Sequence, residues 1–431
     1  MYVLNTTVFI IFKLRRSVLF DFYLFSRNNS SNQMPASVLQ LQSIGIQDVY
    51  LTKDPQINVF RYTYYRYVNF ATETLQLPLS EEASFNKKVS CEILKRGHLL
   101  SKLHLHLKLP ALTKNGGTYL CWTDAIGHAI FSEPIELEIG GVVVDRIYPQ
   151  LSDILDEFSN GTKQLGRNLM LGKSDVYVSS FYNASQPLDL LIPLDFWFTR
   201  RYNMALPLLS MYNQDIKINF KLRDFPRLIN FDGSTPAYSN IVESNVYAEY
   251  IYLDDAIVNS FQQQKHRYVI EQAQYHEVES IPVNTSIFNT TLKFNHPVKE
   301  IFFACAEKSV VDNNNYFMYS NSTDNTAIIT SASLLLDGQR RFDNLPEFYY
   351  RCVFPDNVHS VVPLKYVYCM PFCLKPEDNQ PTGSVNLSRF NDVILSVKVR
   401  NSNPECLIYV YAVNYNIVTI ENGTFTLEFA V

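Results

Sequence analysis

The sequence predicts an all-β chain divided between two domains of sandwich or barrel type. Three observations carry this reading. Hydrophobic residues alternate with polar ones at a period of two in many separate runs, the pattern of strands with one buried face. Tyr and Phe number 28 and 29 against 2 Trp, and with many Val, Ile and Thr this favours strands over helices. At 431 residues the chain exceeds one ordinary domain, and a hydrophobic content of 47 % can fill two cores.

The elements follow in order. Leu103-His104-Leu105-His106-Leu107-Lys108-Leu109 is a half-buried strand with its leucines on one face. Ile135-Glu136-Leu137-Glu138-Ile139 and Val142-Val143-Val144 flank Gly140-Gly141, a tight hairpin. Residues 153–158 predict a short helix, stopped by Asn160-Gly161. The stretches 216–223 and 246–252 alternate again. The pattern then breaks at 259–274, where Gln262, Gln263, Gln264, Lys265, His266, Arg267 and Gln272 lie among few apolar residues. This stretch is expected to connect the domains, although Tyr268-Val269-Ile270 has the character of a strand start.

The second half repeats the grammar of the first. Leu292, Phe294 and Ile301-Phe302-Phe303 are strand-like. Leu334-Leu335-Leu336 runs into Asp337-Gly338, a type I′ hairpin signal. Val367-Tyr368-Cys369-Met370 precedes a Pro-containing loop at 376–381, and two further strands are expected at 393–399 and 407–411. In each half a glycine hairpin, an aromatic strand and a Pro-containing loop come in that order. An aspartate, Asp215 or Asp392, then introduces a long alternating strand. This hints at internal duplication, though strand-rich chains often look self-similar. Patterning alone leaves a jelly roll and an immunoglobulin-like sandwich both open.

Composition narrows the function. A formal charge of −5 without a long basic run argues against direct packaging of nucleic acid. The 7 cysteines are scattered and too sparse for a disulfide scaffold, so reduced and mostly buried thiols are expected. Short signatures of nucleotide-binding loops, serine hydrolases and zinc peptidases are missing. His104 and His106 share a strand face, but no third ligand is recognisable nearby. Cys369 and Cys373 lie four apart without a second pair at similar spacing. Asp254-Asp255 and Glu81-Glu82 are adjacent, and adjacent side chains on extended backbone point to opposite faces, which suits solvation better than paired carboxylate chemistry. No catalytic residue, metal or cofactor is therefore assigned. Asn-x-Ser/Thr triplets occur at Asn160, Asn183, Asn284, Asn289, Asn321, Asn386 and Asn422. They matter only where the chain meets a glycosylation machinery.

The most specific signal is an ordered set of segments. Gln47-Asp48-Val49-Tyr50-Leu51-Thr52 runs on through Pro55-Gln56-Ile57 to Arg66-Tyr67-Val68-Asn69-Phe70. Glu136 to Gly141, then Phe196-Trp197-Phe198 with Ala205-Leu206-Pro207-Leu208, stand in the first half. His266 to Gln272 follows at the crossing between halves. Asn295-His296-Pro297-Val298-Lys299-Glu300, Leu336-Asp337-Gly338, Pro376-Glu377 and Gln380-Pro381-Thr382-Gly383-Ser384 continue the set. Asn414-Tyr415-Asn416-Ile417 and Ile420-Glu421-Asn422-Gly423 close it. In this order and spacing, from about Leu39 to Val431, the chain resembles the major capsid proteins of the nucleocytoplasmic large DNA viruses. Ile46 departs from the Gly or Ala usual there.

The resemblance implies two tandem eight-stranded jelly-roll barrels, a double jelly roll, with few short helices in the loops. It places the first barrel, with a leading segment, in residues 34–258, a connector at 259–274 and the second barrel at 275–431. It implies a homotrimeric, pseudo-hexagonal capsomer of an icosahedral virion shell, assembled in the host cytoplasm. Partners would be further copies, neighbouring capsomers, minor capsid proteins and penton proteins, with an inner membrane close by. Two other roles fit the same fold: a minor or spike-associated capsid paralogue, and a carbohydrate-binding module on a virion surface. Residues 1–33 differ from the rest. Two short apolar runs are interrupted by Lys13, Arg15, Arg16 and Asp21, and an Asn/Ser spacer leads to Met34. Neither run nears the ~20 residues that span a bilayer. An over-long gene model starting ahead of Met34 is the first expectation, a flexible arm and a membrane-associating segment the others.

Overall fold

The computed structural model describes residues 35–56, 58–159, 163–173, 184–400 and 403–429. The segment 1–33, Met34, Asn160, Gly161 and Asn183 lie outside the described residues. The chain divides into two compact units, residues 1–68 and 69–431. The described part of the smaller unit holds helices α1 (Ala36–Gln42) and α2 (Ile46–Thr52). The Gln-Asp-Val-Tyr segment is thus helical. Asp48 explains its start, since its Oδ2 accepts the Gly45 N–H at 2.8 Å and satisfies a donor left over at the helix N-terminus.

The larger unit opens with strands β1 (Phe70–Pro78), β2 (Lys88–Glu92), β3 (Leu99–Leu109) and β4 (Leu120–Trp122), then helix α3 (Ile126–Ala129). Strands β5 (Ile135–Ile139) and β6 (Val142–Ile147) follow, then helices α4 (Pro149–Ser159) and α5 (Gln164–Leu171). Strands β7 (Leu188–Pro193), β8 (Ile216–Lys221), β9 (Ile229–Phe231) and β10 (Glu243–Leu253) complete the first half. Helix α6 (Asp255–Gln263) leads to β11 (His266–Ile281), β12 (Ile287–Thr291) and β13 (Pro297–Glu307). After α7 (Lys308–Asp312) come β14 (Ile329–Leu336), β15 (Gln339–Pro346), α8 (Phe354–Val358) and β16 (Val367–Pro371). The chain ends through β17 (Val385–Asn386), β18 (Val393–Val399), β19 (Cys406–Glu421) and β20 (Thr424–Leu427).

Each half is a pair of facing antiparallel sheets of four main strands, one of which β17 and β20 extend to six in the second half. The first half pairs β1-β10-β3-β7 with β2-β8-β5-β6, and the second pairs β11-β19-β13-β16 with β12-β18-β14-β15. Leaving aside β4, β9, β17 and β20, the eight strands of each half occur in the same chain order and occupy the same sheet positions. This is the two-sheet jelly roll, repeated. The duplication hinted at by patterning is therefore a duplication of topology.

Alternation places the cores. In β3 every second residue from Leu103 to Leu109 is buried and the residues between are half-buried. Strands β5, β8 and β18 behave likewise. Leu103, Leu105 and Leu107 join Leu137, Ile218 and Phe220 of the opposite sheet in one apolar cluster. Ile301, Phe303, Ile408 and Val410 join Leu334, Leu395 and Val397 in another.

The predicted connector at 259–274 differs from what forms. Most of it is helix α6 and the start of β11, a 16-residue strand paired along most of its length with β19. Asp254 caps α6, and its Oδ1 accepts the Asp255 N–H at 3.0 Å. A Gln-rich run lacks the apolar stripe by which a helix is read, yet glutamine is a good helix former and the cap fixes the start. The motif Phe196-Trp197-Phe198 sits where a 3-10 turn (Trp197–Thr199) forms, with all three rings buried.

Both hairpins have left-handed backbone at both central residues: φ is 60° and 84° at Gly140 and Gly141, 46° and 78° at Asp337 and Gly338. Asp337 also ties its turn to the start of β18. Its Oδ1 accepts the N–H groups of Asn391 and Asp392 at 2.8 and 2.9 Å. A Cβ at Gly338 would meet nothing within 4 Å, so a substitution there acts through backbone strain alone. Gly338→Val is expected to cost about 1–3 kcal/mol. A denaturant midpoint equal to that of the parent protein would contradict this.

Candidate functional site at the seam between the barrels

The central strands of the second barrel bury both faces. In β19, Ile408, Val410 and Ala412 belong to the second barrel's core, while Tyr409, Tyr411 and Val413 belong to the cluster that fills the first. Strand β13 divides in the same way, with Phe302 and Ala304 turned toward the first barrel. This is why Ile301-Phe302-Phe303 and Leu407 to Tyr411 read as continuous apolar runs and do not alternate. Aromatic rings interlock across the seam: Phe158 of α4 lies 5.4 Å from Phe302, and Tyr148 lies 5.4 Å from Tyr275 and 5.6 Å from Tyr411. Backbone groups also cross it. Gln214 Nε2 donates to Phe425 O at 3.3 Å and its Oε1 accepts the Phe425 N–H at 2.6 Å. Tyr316 Oη donates to Arg227 O at 2.9 Å.

Beside these rings lies a charged layer, part of which lines a cavity of about 470 Å³. Asp153 on α4 is fully buried and holds two lysines, Lys173 Nζ at 3.1 Å and Lys365 Nζ at 2.8 Å. Burial pushes the Asp153 carboxyl up, but Lys173, Lys365 and His128 together outweigh it and hold the carboxyl well below the usual range. Glu271 of β11 pairs with Lys299 at 2.5 Å and with Arg200. Burial again opposes ionisation there, and the two cations again prevail. Arg167 joins Asp156 at 3.0 Å and also reaches Asp195. His359, just past α8, donates from Nε2 toward Glu300 Oε1 at 2.9 Å, with Glu377 Oε1 3.4 Å from Nδ1. Burial disfavours the imidazolium, but the carboxylates of Glu300 and Glu377 beside it raise it to about 9.

Asp145 is the exception in this layer. Burial raises its carboxyl to about 7, against the opposing pull of Arg200 and a bond from Arg146 N–H at 2.9 Å. An ordinary carboxyl ionises near pH 4. Between those values the folded chain holds a proton that the unfolded chain has lost. The contribution of this group therefore favours folding at low pH and is lost as pH rises through about 7. Asp145→Asn is expected to change stability little at pH 4 and to raise it by about 2–4 kcal/mol at pH 8. A pH-independent difference in melting temperature would contradict this.

The residues singled out in the sequence are mostly scattered. His104 and His106 are half-buried on the face opposite the leucines, with Asp189 3.4 Å from His106 and the Tyr247 ring 5.8 Å from it. Burial lowers the His104 imidazole below its usual range. All seven cysteines are free, with Cys91, Cys305, Cys369, Cys373 and Cys406 buried. Glu81 and Glu82 are exposed, and Asp254 is the cap already described. Asn284, Asn289, Asn386 and Asn422 are exposed, and Asn321 is half-buried with its Oδ1 accepting from Thr323 N–H at 2.9 Å. One grouping escaped the sequence: Glu300, His359 and Cys369 each offer a ligand atom, all within 4.8 Å of one another. A signal existed for Glu300, a carboxylate inside a strand otherwise buried on both faces. His359 stood in no motif. Among the described residues, no helix is long and apolar enough to cross a membrane.

Comparison with known proteins places this architecture. The major capsid protein of Pyramimonas orientalis virus is 30 % identical over 421 residues, which span 90 % of this chain and 98 % of that protein. The chain belongs to the major capsid protein family of large eukaryotic DNA viruses. Family models agree: residues 58–254 match the major capsid protein N-terminus, and residues 258–426 match the large eukaryotic DNA virus major capsid protein. The major capsid protein of Paramecium bursaria Chlorella virus 1 is 27 % identical, over 92 % of this chain and 100 % of that one. A solved PBCV-1 virus capsid aligns with a TM-score of 0.74 and 26 % identity, covering 87 % of this chain and 100 % of that chain. A Faustovirus major capsid protein shares the fold at 13 % identity, with a TM-score of 0.72 and coverage of 89 % and 96 %. The double jelly roll expected from the resemblance is the fold found.

Proposed function

We propose that three copies of this major capsid protein associate into a pseudo-hexagonal capsomer that tiles an icosahedral shell. The observation that carries this reading is the repeated topology. Each chain supplies two barrels of the same strand order, so three chains supply six similar walls. A threefold object with six near-equivalent sides packs on a hexagonal lattice in several orientations. The seam supports this reading, because its shared apolar cluster and buried ion pairs keep the two barrels of a chain in fixed register. The proposed partners are further copies, neighbouring capsomers, minor capsid proteins and penton proteins, with an inner membrane nearby. Assembly is proposed to take place in the host cytoplasm. Direct nucleic-acid contact is not part of the proposal, given the formal charge of −5. Catalysis is not part of it either. The exposed acceptors Asn284, Asn289, Asn386 and Asn422 would carry glycans only where a suitable transferase is supplied. Light scattering on the purified chain at micromolar concentration tests the trimer. A mass three times 49.8 kDa is expected, and a monomer would overturn it.

A further inference from the structure

We propose that Glu300, His359 and Cys369 form a binding site for a zinc-type divalent cation at the seam. The proposal is independent of the capsomer reading. Its first support is position. Glu300 and Cys369 sit on adjacent antiparallel strands, β13 and β16, whose register pairs Glu300 with Pro371 and Phe302 with Cys369. The two residues are therefore diagonal neighbours on one face of the sheet. His359 reaches the same spot from the end of α8, and the three ligand atoms lie within 4.8 Å of one another. Zinc bonds of about 2.0–2.3 Å in a tetrahedron set neighbouring donors roughly 3.3–3.8 Å apart. His359 Nε2 and Glu300 Oε1, at 2.9 Å, are already that close. A modest closure at Cys369 completes the set.

The second support is the far side of the imidazole. His359 Nδ1 is buried without a well-formed hydrogen bond, and Glu377 Oε1 stands 3.4 Å from it. Glu377 is itself fixed by Ser360, whose N–H and Oγ donate at 2.8 and 3.0 Å. A cation on Nε2 leaves the Nδ1–H to donate to this carboxylate, the arrangement that commonly orients a metal-ligating histidine. The third support is chemical. A thiolate, an imidazole and a carboxylate suit zinc better than hard cations. The two anionic donors, Cys369 and Glu300, match the charge of a dication, which lowers the cost of holding it in a buried place. On binding, the Cys369 thiol proton and the His359 Nε2 proton, which faces Glu300, both pass to solvent as the Sγ–metal and Nε2–metal bonds form. Glu300 and His359 line the cavity, with Cys369 behind them, so the cavity offers an entry path from the side of the carboxylate and the imidazole.

The full chain should be stripped with a chelator and then titrated with Zn(II) and with Co(II). One equivalent of zinc per chain is expected to survive desalting and to raise the melting temperature. The cobalt form should show the near-ultraviolet absorption of a thiolate-to-cobalt bond. Cys369→Ala keeps the His359–Glu300 pair, so it should fold with the metal-free melting temperature, lose the absorption and lose the zinc-induced shift. Cys373→Ala should retain both. The proposal is overturned if the parent chain retains no zinc. It is also overturned if Cys369→Ala binds and absorbs like the parent, or if Cys373→Ala is the variant that loses the signal.

Discussion

Asp153→Ala is expected to destabilise the chain by about 3–5 kcal/mol, because it removes the buried carboxylate that holds two lysines together. Asp153 is fully buried and neutralises Lys173, from its own barrel, and Lys365, from the other. Lys173 keeps Glu157 at 2.6 Å, but Lys365 is left with Glu157 at 4.0 Å. The loss should therefore fall mainly on the contact between barrels. The pair Asp153→Ala and Lys365→Met tests this. Removing both charges should recover part of the stability lost by removing Asp153 alone, a coupling of about 1–3 kcal/mol. Denaturant unfolding of the four proteins gives the answer, and strict additivity would show that the two residues act separately.

Phe158→Ala should cost a comparable amount, about 3–5 kcal/mol, by a different route. The ring is fully buried, 5.4 Å from Phe302 and 5.0 Å from His359, so truncation opens a cavity where α4 meets the second barrel. Each barrel keeps its own intersheet core. The variant is thus expected to lose the register between barrels before it loses either barrel, seen as a first unfolding step at lower temperature. A single transition at the parent temperature would contradict the role given to this ring.

What could be read in the sequence followed burial on one face. Strands β3, β5, β8 and β18 were legible because one side meets a core and the other does not. Turns at Gly140-Gly141 and Asp337-Gly338 were legible because few residues tolerate that backbone. Strands β13 and β19 gave their existence but hid their role. A strand buried on both faces has no periodicity to announce what lies behind it, and β19 extends well past the run of apolar residues that marked it. Helix α6 was hidden by polar composition. The seam was invisible for a simpler reason: its partners are far apart along the chain, 212 positions for Lys365 and Asp153 and 71 for Arg200 and Glu271. The family's ordered segments include Lys299, Glu300 and Glu377, so they touched this site without stating what it joins.

In the proposed capsomer one chain supplies two equivalent walls of a hexagonal tile. Negative-stain electron microscopy of the purified protein tests it most directly. Particles of hexagonal outline with a threefold centre are expected, in which six barrels alternate between first and second halves. Particles with only three lobes, or single pairs of barrels at the same concentration, would contradict it.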